Sequence, residues 1–441
     1  MRAMLTGAAI GAVMGGLAVG VSAFAWPEAS PADARTETYR QLDLFAEVLA
    51  RARADYVTDF DEAEAIEAAI NGMLGSLDPH SSYLSPEDFE AMQVQTSGEY
   101  GGLGIEVTME EGFVKVVTPM DDTPASRAGL ESGDLLTAIN GNPIVGLNID
   151  DAVKDMRGPP GTEIIVTVLR EGQEAFDVTL KREVIRPDSV DWEVKADDIA
   201  YFRISTFNER TTELLEKAIA EASRQIDGRP AGIVLDLRNN GGGLLEQAIS
   251  VSDKFLSGGE VVSTIGRRPS DIARYNARNG EVFKSIPMVV LINNGSASAS
   301  EIVAGALQDR SRATILGTTS FGKGSVQTVI PLGADRGAIR LTTSRYYTPS
   351  GRSIQATGIE PDLEIVQSRV TEDQLEKIRR YSEADLPHAL TNEEGAERRM
   401  PHMPDEQPPE DYDGDDYQLD RAIEIIHGGQ LTAAGQNPNA G

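Results

Sequence analysis

The chain has 441 residues, with 70 acidic against 40 basic, a formal charge of −30 and no cysteine. That balance excludes holding nucleic acid or an anionic membrane surface through bulk charge. The missing thiol excludes cysteine nucleophiles, Cys-ligated zinc and disulfides, and the length calls for more than one domain.

From Ala3 to Pro27 there is no charged residue, and Arg2 precedes the stretch. Ala23-Phe24-Ala25 is a small-x-small site, so residues 1–25 read as a signal peptide cleaved after Ala25. The alternative is a membrane anchor. The stretch is long enough to span a bilayer, and Gly7, Gly11 and Gly15 have the spacing of helix-dimer glycines. Either reading places the rest of the chain outside the cytoplasm, in a periplasm. Residues 36–90 read as a helical region. Leu42, Phe45, Val48 and Leu49 share one face, and Ile66, Ile70, Met73 and Leu74 another. Asp78-Pro79-His80-Ser81-Ser82-Tyr83-Leu84 breaks that period, with His80 as a capping or packing residue.

Residues 98–183 form a second unit of short strands and tight turns. Ile105-Glu106-Val107 and Val114 to Val117 are strands, and Asn148 to Met156 is a helix. Ile164 to Leu169 and Phe176 to Leu180 form a hairpin turning at Gly172. Gly102-Leu103-Gly104-Ile105 stands before the first strand, with Ala128 to Asp134 (Ala-Gly-Leu-x-x-Gly-Asp) downstream. The unit resembles a PDZ domain. That resemblance implies a sheet edge that accepts a ligand's C-terminal strand, with its carboxylate held by the amides of Leu103, Gly104 and Ile105.

Residues 186–366 alternate strands and helices. Ala200 to Ile204 is a strand, Glu209 to Ile226 an amphipathic helix, and Gly232 to Arg238 a buried strand. Asn239-Asn240-Gly241-Gly242-Gly243 then enters a helix running from Leu244 to Phe255. A triple glycine there offers amides for a phosphate or for an oxyanion. The apolar run Met288 to Ile292 leads into Asn293-Asn294-Gly295-Ser296-Ala297-Ser298-Ala299-Ser300-Glu301, and a helical pattern leads out. A serine at such a strand-to-helix turn presents its hydroxyl where free N–H groups favour negative charge. The plainer reading is a helix cap, since the serine-to-glutamate spacing is close to a capping box.

Downstream, Phe321-Gly322-Lys323-Gly324 follows the strand Ala313 to Leu316. The chain has four histidines, His80, His388, His402 and His427, none near the serine turn in sequence. A Ser-His-Asp triad assembled in space would draw on His80, while a serine nucleophile here more naturally uses a lysine as its base. Such a lysine must be neutral, which takes about 4 kcal/mol of burial and local field against an ordinary pKa of about 10.4. Gly317 to Lys323 also reads G-x-x-x-x-G-K, most of a nucleotide-binding P-loop, but Gly324 stands where Ser or Thr would hold Mg²⁺.

From about Leu42 to Val366 the sequence resembles the carboxy-terminal processing peptidases, also called tail-specific proteases. The resemblance implies Ser298 as nucleophile and Lys323, 25 positions later, as base. It implies Gln327 as the residue that orients the lysine, and an oxyanion hole from the amide of Ala299 with Gly241 or Gly242. Spacing alone does not choose Ser298 over Ser296 or Ser300. Pro349 to Gln355 and Gly358 to Asp362 match the family's closing segments.

The expected fold is a multi-domain α/β protein with N-terminal helices, a PDZ-like domain and a crotonase-like, or ClpP-like, α/β peptidase core. Residues 367–441 form an acidic extension. Pro401 to Asp420 carries eight acidic residues and no Lys or Arg, a solvated and disordered linker, and Leu419 to Ile426 is a short helix docking back. The expected activity is that of a serine endopeptidase acting on exported proteins with apolar C-termini, needing no metal or organic cofactor. Its partners would be those substrates, an adaptor or activator, and a second copy through the N-terminal helices. Two rivals are a silent PDZ scaffold and a crotonase-like acyl-transfer enzyme.

Overall fold

The computed structural model describes residues 31–428 except 111, 227, 269, 279, 334, 372–380 and 400–401. Residues 1–25, read from the sequence as a signal peptide or an anchor, lie outside them. Among the described residues no helix is long and apolar enough to cross a membrane. The chain divides into two compact units after Ile66. The first carries α1 (Pro31–Asp55), along which Leu42, Phe45 and Val48 are exposed. The second begins within α2 (Glu62–Gly75).

In the second unit, β1 (Ser82–Leu84) leads to α3 (Pro86–Ser97). Ser85 caps that helix by accepting from Asp88 N–H at 3.1 Å. Gly98 ends it in the left-handed conformation, φ 71°, where a Cβ would fall 2.4 Å from Asn208 Nδ2. The paired strands β2 (Tyr100–Gly102) and β9 (Glu183–Ile185) are the way in and out of the PDZ-like unit. Between them lie β3 (Ile105–Glu110), β4 (Phe113–Pro119), β5 (Leu135–Ile139), β6 (Asn142–Pro143), β7 (Glu163–Leu169) and β8 (Phe176–Lys181). The sheet runs β3-β4-β5-β7-β8. Alternate residues such as Val114, Val116, Ile164, Val166 and Val168 face a separate core with Ala152 and Met156 of α5 (Ile149–Met156). A short helix, α4 (Pro124–Arg127), sits behind the Leu103–Gly104 turn.

The core sheet contains β10 (Val190–Lys195), β11 (Ile199–Ile204), β12 (Gly232–Asp236), β15 (Met288–Ile292), β16 (Thr314–Gly317) and β19 (Leu363–Glu364), in the order β10-β11-β12-β15-β16-β19. All its pairings are parallel except β10 with β11. Every residue of β12 and β15 is buried, as expected of parallel strands covered on both faces. Val290 and Ile292 pack with α6 (Thr211–Gln225), α7 (Leu245–Phe255) and α8 (Ala299–Asp309). Val289 and Leu291 pack on the opposite side, with Leu419, Ile425 and Ile426 of α9 (Tyr417–His427). A second, antiparallel sheet runs β1-β18-β13-β14 with β17 also on β18, from β13 (Gly259–Gly266), β14 (Ile272–Ala277), β17 (Ser325–Pro331) and β18 (Ala338–Tyr347). The architecture is the mixed α/β one that the sequence predicts.

The C-terminal extension differs from its expectation. Val366 and Glu364 exchange backbone hydrogen bonds with Glu406, and Arg238 holds both carboxylate oxygens of Asp416 at 2.8 and 2.6 Å. The acidic stretch is thus docked by its carboxylates over the described residues, not left as a solvated linker. The predicted helix does dock back, as α9. Charge density misled because the matching cation, Arg238, lies 178 positions upstream.

Candidate active site

The serine turn is built from the ends of β12 and β15. Asn293 accepts N–H groups from Asn239 and Gly295 at 2.9 and 3.0 Å. The Ser296 hydroxyl donates to Leu237 O at 2.8 Å, and the Ser300 hydroxyl to Asn240 O at 2.9 Å. Those two serines fasten one βα turn to the other. The Ser298 hydroxyl does neither; it shares a hydrogen bond of 3.1 Å with the phenol of Tyr346, a buried residue of β18. Ser298 has φ 56° and ψ −112°, a conformation that costs a non-glycine residue about 1–3 kcal/mol and is held only by a well-determined surround.

Glu301 is a large part of that surround. It is fully buried. Oε2 accepts from the backbone N–H groups of Ser298 at 2.8 Å and Lys323 at 2.9 Å. Oε1 accepts from Ser320 Oγ at 2.5 Å and Gly322 N–H at 2.7 Å. One carboxylate therefore joins the serine turn to the lysine loop. Burial pushes its pKa up to about 7, against the pull of the four donors. The spacing that suggests a cap is real, and the same glutamate reaches beyond its own helix. These contacts also bear on the P-loop reading, because the amides of Gly322 and Lys323, which would cradle a phosphate, already serve Glu301, and that of Gly324 serves Gln355.

Lys323 is half-buried. Burial lowers its pKa and the positive charge of Arg340 lowers it further, while Glu383, Glu301 and Asp78 act in the other direction. Among the described residues its amine makes no hydrogen bond to Ser298 or Gln327. Gln327 donates instead to Ser325 Oγ at 3.0 Å and Thr342 Oγ1 at 3.2 Å. Thr342 in turn donates to Asp78 at 3.0 Å.

On the glycine side, Gly242 has φ 102°. A Cβ there would meet Ala297 O at 2.7 Å, Ser298 Cβ at 2.9 Å and Ala299 N at 3.0 Å. Only glycine allows that approach to the Ala299 amide. The Gly242 N–H donates to Asn240 Oδ1 at 2.9 Å, whereas the amides of Gly241 and Ala299 have no partner among the described residues. In the PDZ-like unit, Ala125 N–H donates to Leu103 O at 3.0 Å and Met120 N–H to Gly104 O at 2.9 Å. The amides of Leu103 and Gly104 are unpaired among the described residues. Gly104 has φ 75°, and a Cβ would fall 2.3 Å from Thr123 Cβ. Leu103 is buried and Ile105 half-buried on the core side of β3.

His80 touches none of the serine turn; its Nε2 faces Glu383 at 2.8 Å. Among the described residues no group of three or more His, Asp or Glu side chains is placed to hold a metal ion. Sequence reasoning missed Tyr346, Arg340 and Glu383. Each reaches the site across strands or from the extension, so no local spacing reports it.

The model of peptidase family S41 matches residues 198–365, and that of a PDZ domain matches residues 115–170. The chain is 53% identical over 332 residues to a carboxy-terminal-processing protease of Bartonella bacilliformis, covering 75% of this chain and 76% of that protein. The chain belongs to peptidase family S41. It is a serine-type endopeptidase of the carboxy-terminal-processing kind, with a PDZ domain. A probable CtpA-like serine protease of Staphylococcus aureus is 38% identical over 315 residues, covering 71% of this chain and 62% of that one. Among solved structures, the photosystem II D1 C-terminal processing protease is 31% identical, with 75% of this chain and 91% of that chain covered and a TM-score of 0.43.

Proposed function

We propose that this S41 peptidase recognises the apolar C-termini of exported proteins with its PDZ domain and cuts the chain upstream with a Ser298–Lys323 dyad. The observation that carries the reading is the division of labour among three serines. Ser296 and Ser300 spend their hydroxyls on backbone carbonyls. Ser298 keeps its own at the N-terminus of α8, beside the unpaired Ala299 amide. In the reaction, Lys323 takes the Ser298 proton as Oγ attacks the peptide carbonyl. The ammonium then protonates the leaving amine, and water releases the acyl group from Ser298. The developing oxyanion meets the Ala299 amide together with one from the Gly241–Gly242 turn.

Proton transfer needs Oγ and the amine within about 2.6–3.2 Å. Here Oγ is bonded to Tyr346, so the step begins with Ser298 changing its hydrogen-bond partner. Gln327 acts through the Ser325 and Thr342 hydroxyls that border the loop. The unpaired amides of Leu103 and Gly104 support capture of a C-terminal carboxylate. The uncharged N-terminal stretch supports export, with residues 1–25 removed or retained as an anchor. The exposed stripe on α1 supports pairing of two copies, and an adaptor could seat on the same helices.

The test is cleavage of an unfolded protein with an apolar C-terminus, with a chelator present. Wild type should cut. Ser298→Ala and Lys323→Ala should each lose at least about a thousand-fold. A Lys323→Ala variant that cuts at the wild-type rate would overturn the dyad. Wild type that binds the C-terminus without cutting would favour the scaffold.

A further inference from the structure

Glu383 lies beyond residue 365, where the peptidase family match ends, yet it is fully buried. It opens a short turn, Glu383–Asp385. The turn is closed by Ser382, whose N–H and Oγ both donate to Asp385 Oδ2, at 2.9 and 2.8 Å. The Glu383 backbone N–H donates to Phe321 O at 3.1 Å. Its carboxylate accepts from Gln355 Nε2 at 3.1 Å and faces His80 Nε2 at 2.8 and 3.0 Å. Gln355, also fully buried, accepts the Gly324 N–H at 3.0 Å. The residues two before and one after Lys323 are thus bound by Glu383 directly and through Gln355.

A buried carboxylate is costly unless its charge is used. Packing alone would be served as well by a neutral side chain of the same size. The charged groups facing Lys323 are Arg340 of β18, Glu301 of α8, Asp78 of the turn before β1, and Glu383. The group paired with Glu383 is His80, whose backbone O accepts from Arg340 at 3.2 Å and whose N–H donates to Asp78 at 2.8 Å. His80 therefore fixes the carboxylate with respect to the same cluster. We propose that Glu383 is a positioning residue for the lysine base: it pins the Phe321–Gly324 loop, and its charge favours the ammonium formed when Lys323 takes the serine proton. The inference rests on reading Lys323 as the base. It makes the C-terminal extension a working part of the site.

The test compares the full-length wild type with Glu383→Gln, Glu383→Asp and Lys323→Ala, reading kcat, KM, thermal melting and the pH profile of kcat/KM on an unfolded reporter. Glu383→Gln keeps the volume and an acceptor for Gln355. It should leave KM within two-fold and lower kcat at least ten-fold. Losing a nearby negative charge lowers the lysine pKa, so the acid limb should move to lower pH. Glu383→Asp keeps the charge and should hold the acid limb at its wild-type position with a smaller loss of kcat. If Glu383→Gln melts too early to assay, an acid limb displaced in the folded Glu383→Asp variant overturns the charge role. A Glu383→Gln limb that stays in place overturns the proposal, whether kcat is unchanged or falls with the melting temperature. Lys323→Ala at the wild-type rate would instead sink the base reading, and this inference with it.

Discussion

The Ser298 hydroxyl and the Tyr346 phenol meet at 3.1 Å across 48 positions of sequence, inside a site where both are buried. Burial pushes the Tyr346 pKa up to about 12 despite that hydrogen bond, so the phenol stays neutral at any working pH. It is a partner for the serine and not a base. A hydrogen bond of this kind is worth about 0.5–1.5 kcal/mol. Tyr346→Phe removes it while keeping the ring, and releases Ser298 toward Lys323. The expected outcome is a rise in kcat/KM of roughly 2- to 10-fold with little change in melting. A fall of ten-fold or more would give the phenol a direct part in the chemistry.

Glu301 ties the serine turn to the lysine loop through four donors. Glu301→Gln sets an NH₂ group against N–H donors. Melting experiments should show a loss of about 1–3 kcal/mol, and displacement of the proposed Ser298–Lys323 dyad should cost about 100-fold in kcat. A second readout follows from its titration. The folded pKa of about 7 lies above the ordinary value of 4.5. The folded state therefore binds the extra proton between those values, and stability should fall as pH rises from 4.5 toward 7 and level off above. The glutamine variant should lack that slope.

Arg340 gives the complementary experiment on the lysine. Its charge is one of the causes that lower the Lys323 pKa. Arg340→Gln removes it, so the lysine pKa rises and the acid limb of the kcat/KM profile should move to higher pH. An unmoved limb would mean that burial alone prepares the base.

Gly242→Ala tests the glycine side of the site. The added methyl would lie 2.7 Å from Ala297 O and 3.0 Å from Ala299 N, in a backbone conformation of φ 102° that alanine resists. If the turn holds the proposed oxyanion donor, activity should fall at least about 100-fold, while the proposed binding of peptide C-termini by the PDZ domain should be retained. Loss of binding and cutting together would place the damage elsewhere.

How much of this was legible beforehand follows sequence distance. The strand run Met288–Ile292, the alternating serines and the glycine-flanked lysine are local patterns, and they place α8, β15 and the lysine loop correctly. The hairpin of β7 and β8 around Gly172 is local in the same way. Spacing alone does not choose among the three serines, and the bonds of Ser296 and Ser300 to the neighbouring turn join residues about 60 positions apart. Tyr346 and Arg340 sit on one strand and meet the site only because β18 pairs with β1, β13 and β17. The acidic extension was misjudged for a physical reason. Composition counts charges but does not see their partners, and Asp416 and Glu383 find theirs at Arg238 and His80.

The bond between Arg238 and Asp416 has a consequence for the order of events in the cell. Arg238 stands one residue before the Asn239–Gly243 turn, and Asp416 lies at the start of α9. A chain still growing on its ribosome has made the serine, the lysine and the glycine turn long before it makes this carboxylate. Nascent copies accordingly carry the serine, the lysine and the glycine turn without the brace beside that turn, which a later stretch of the chain supplies.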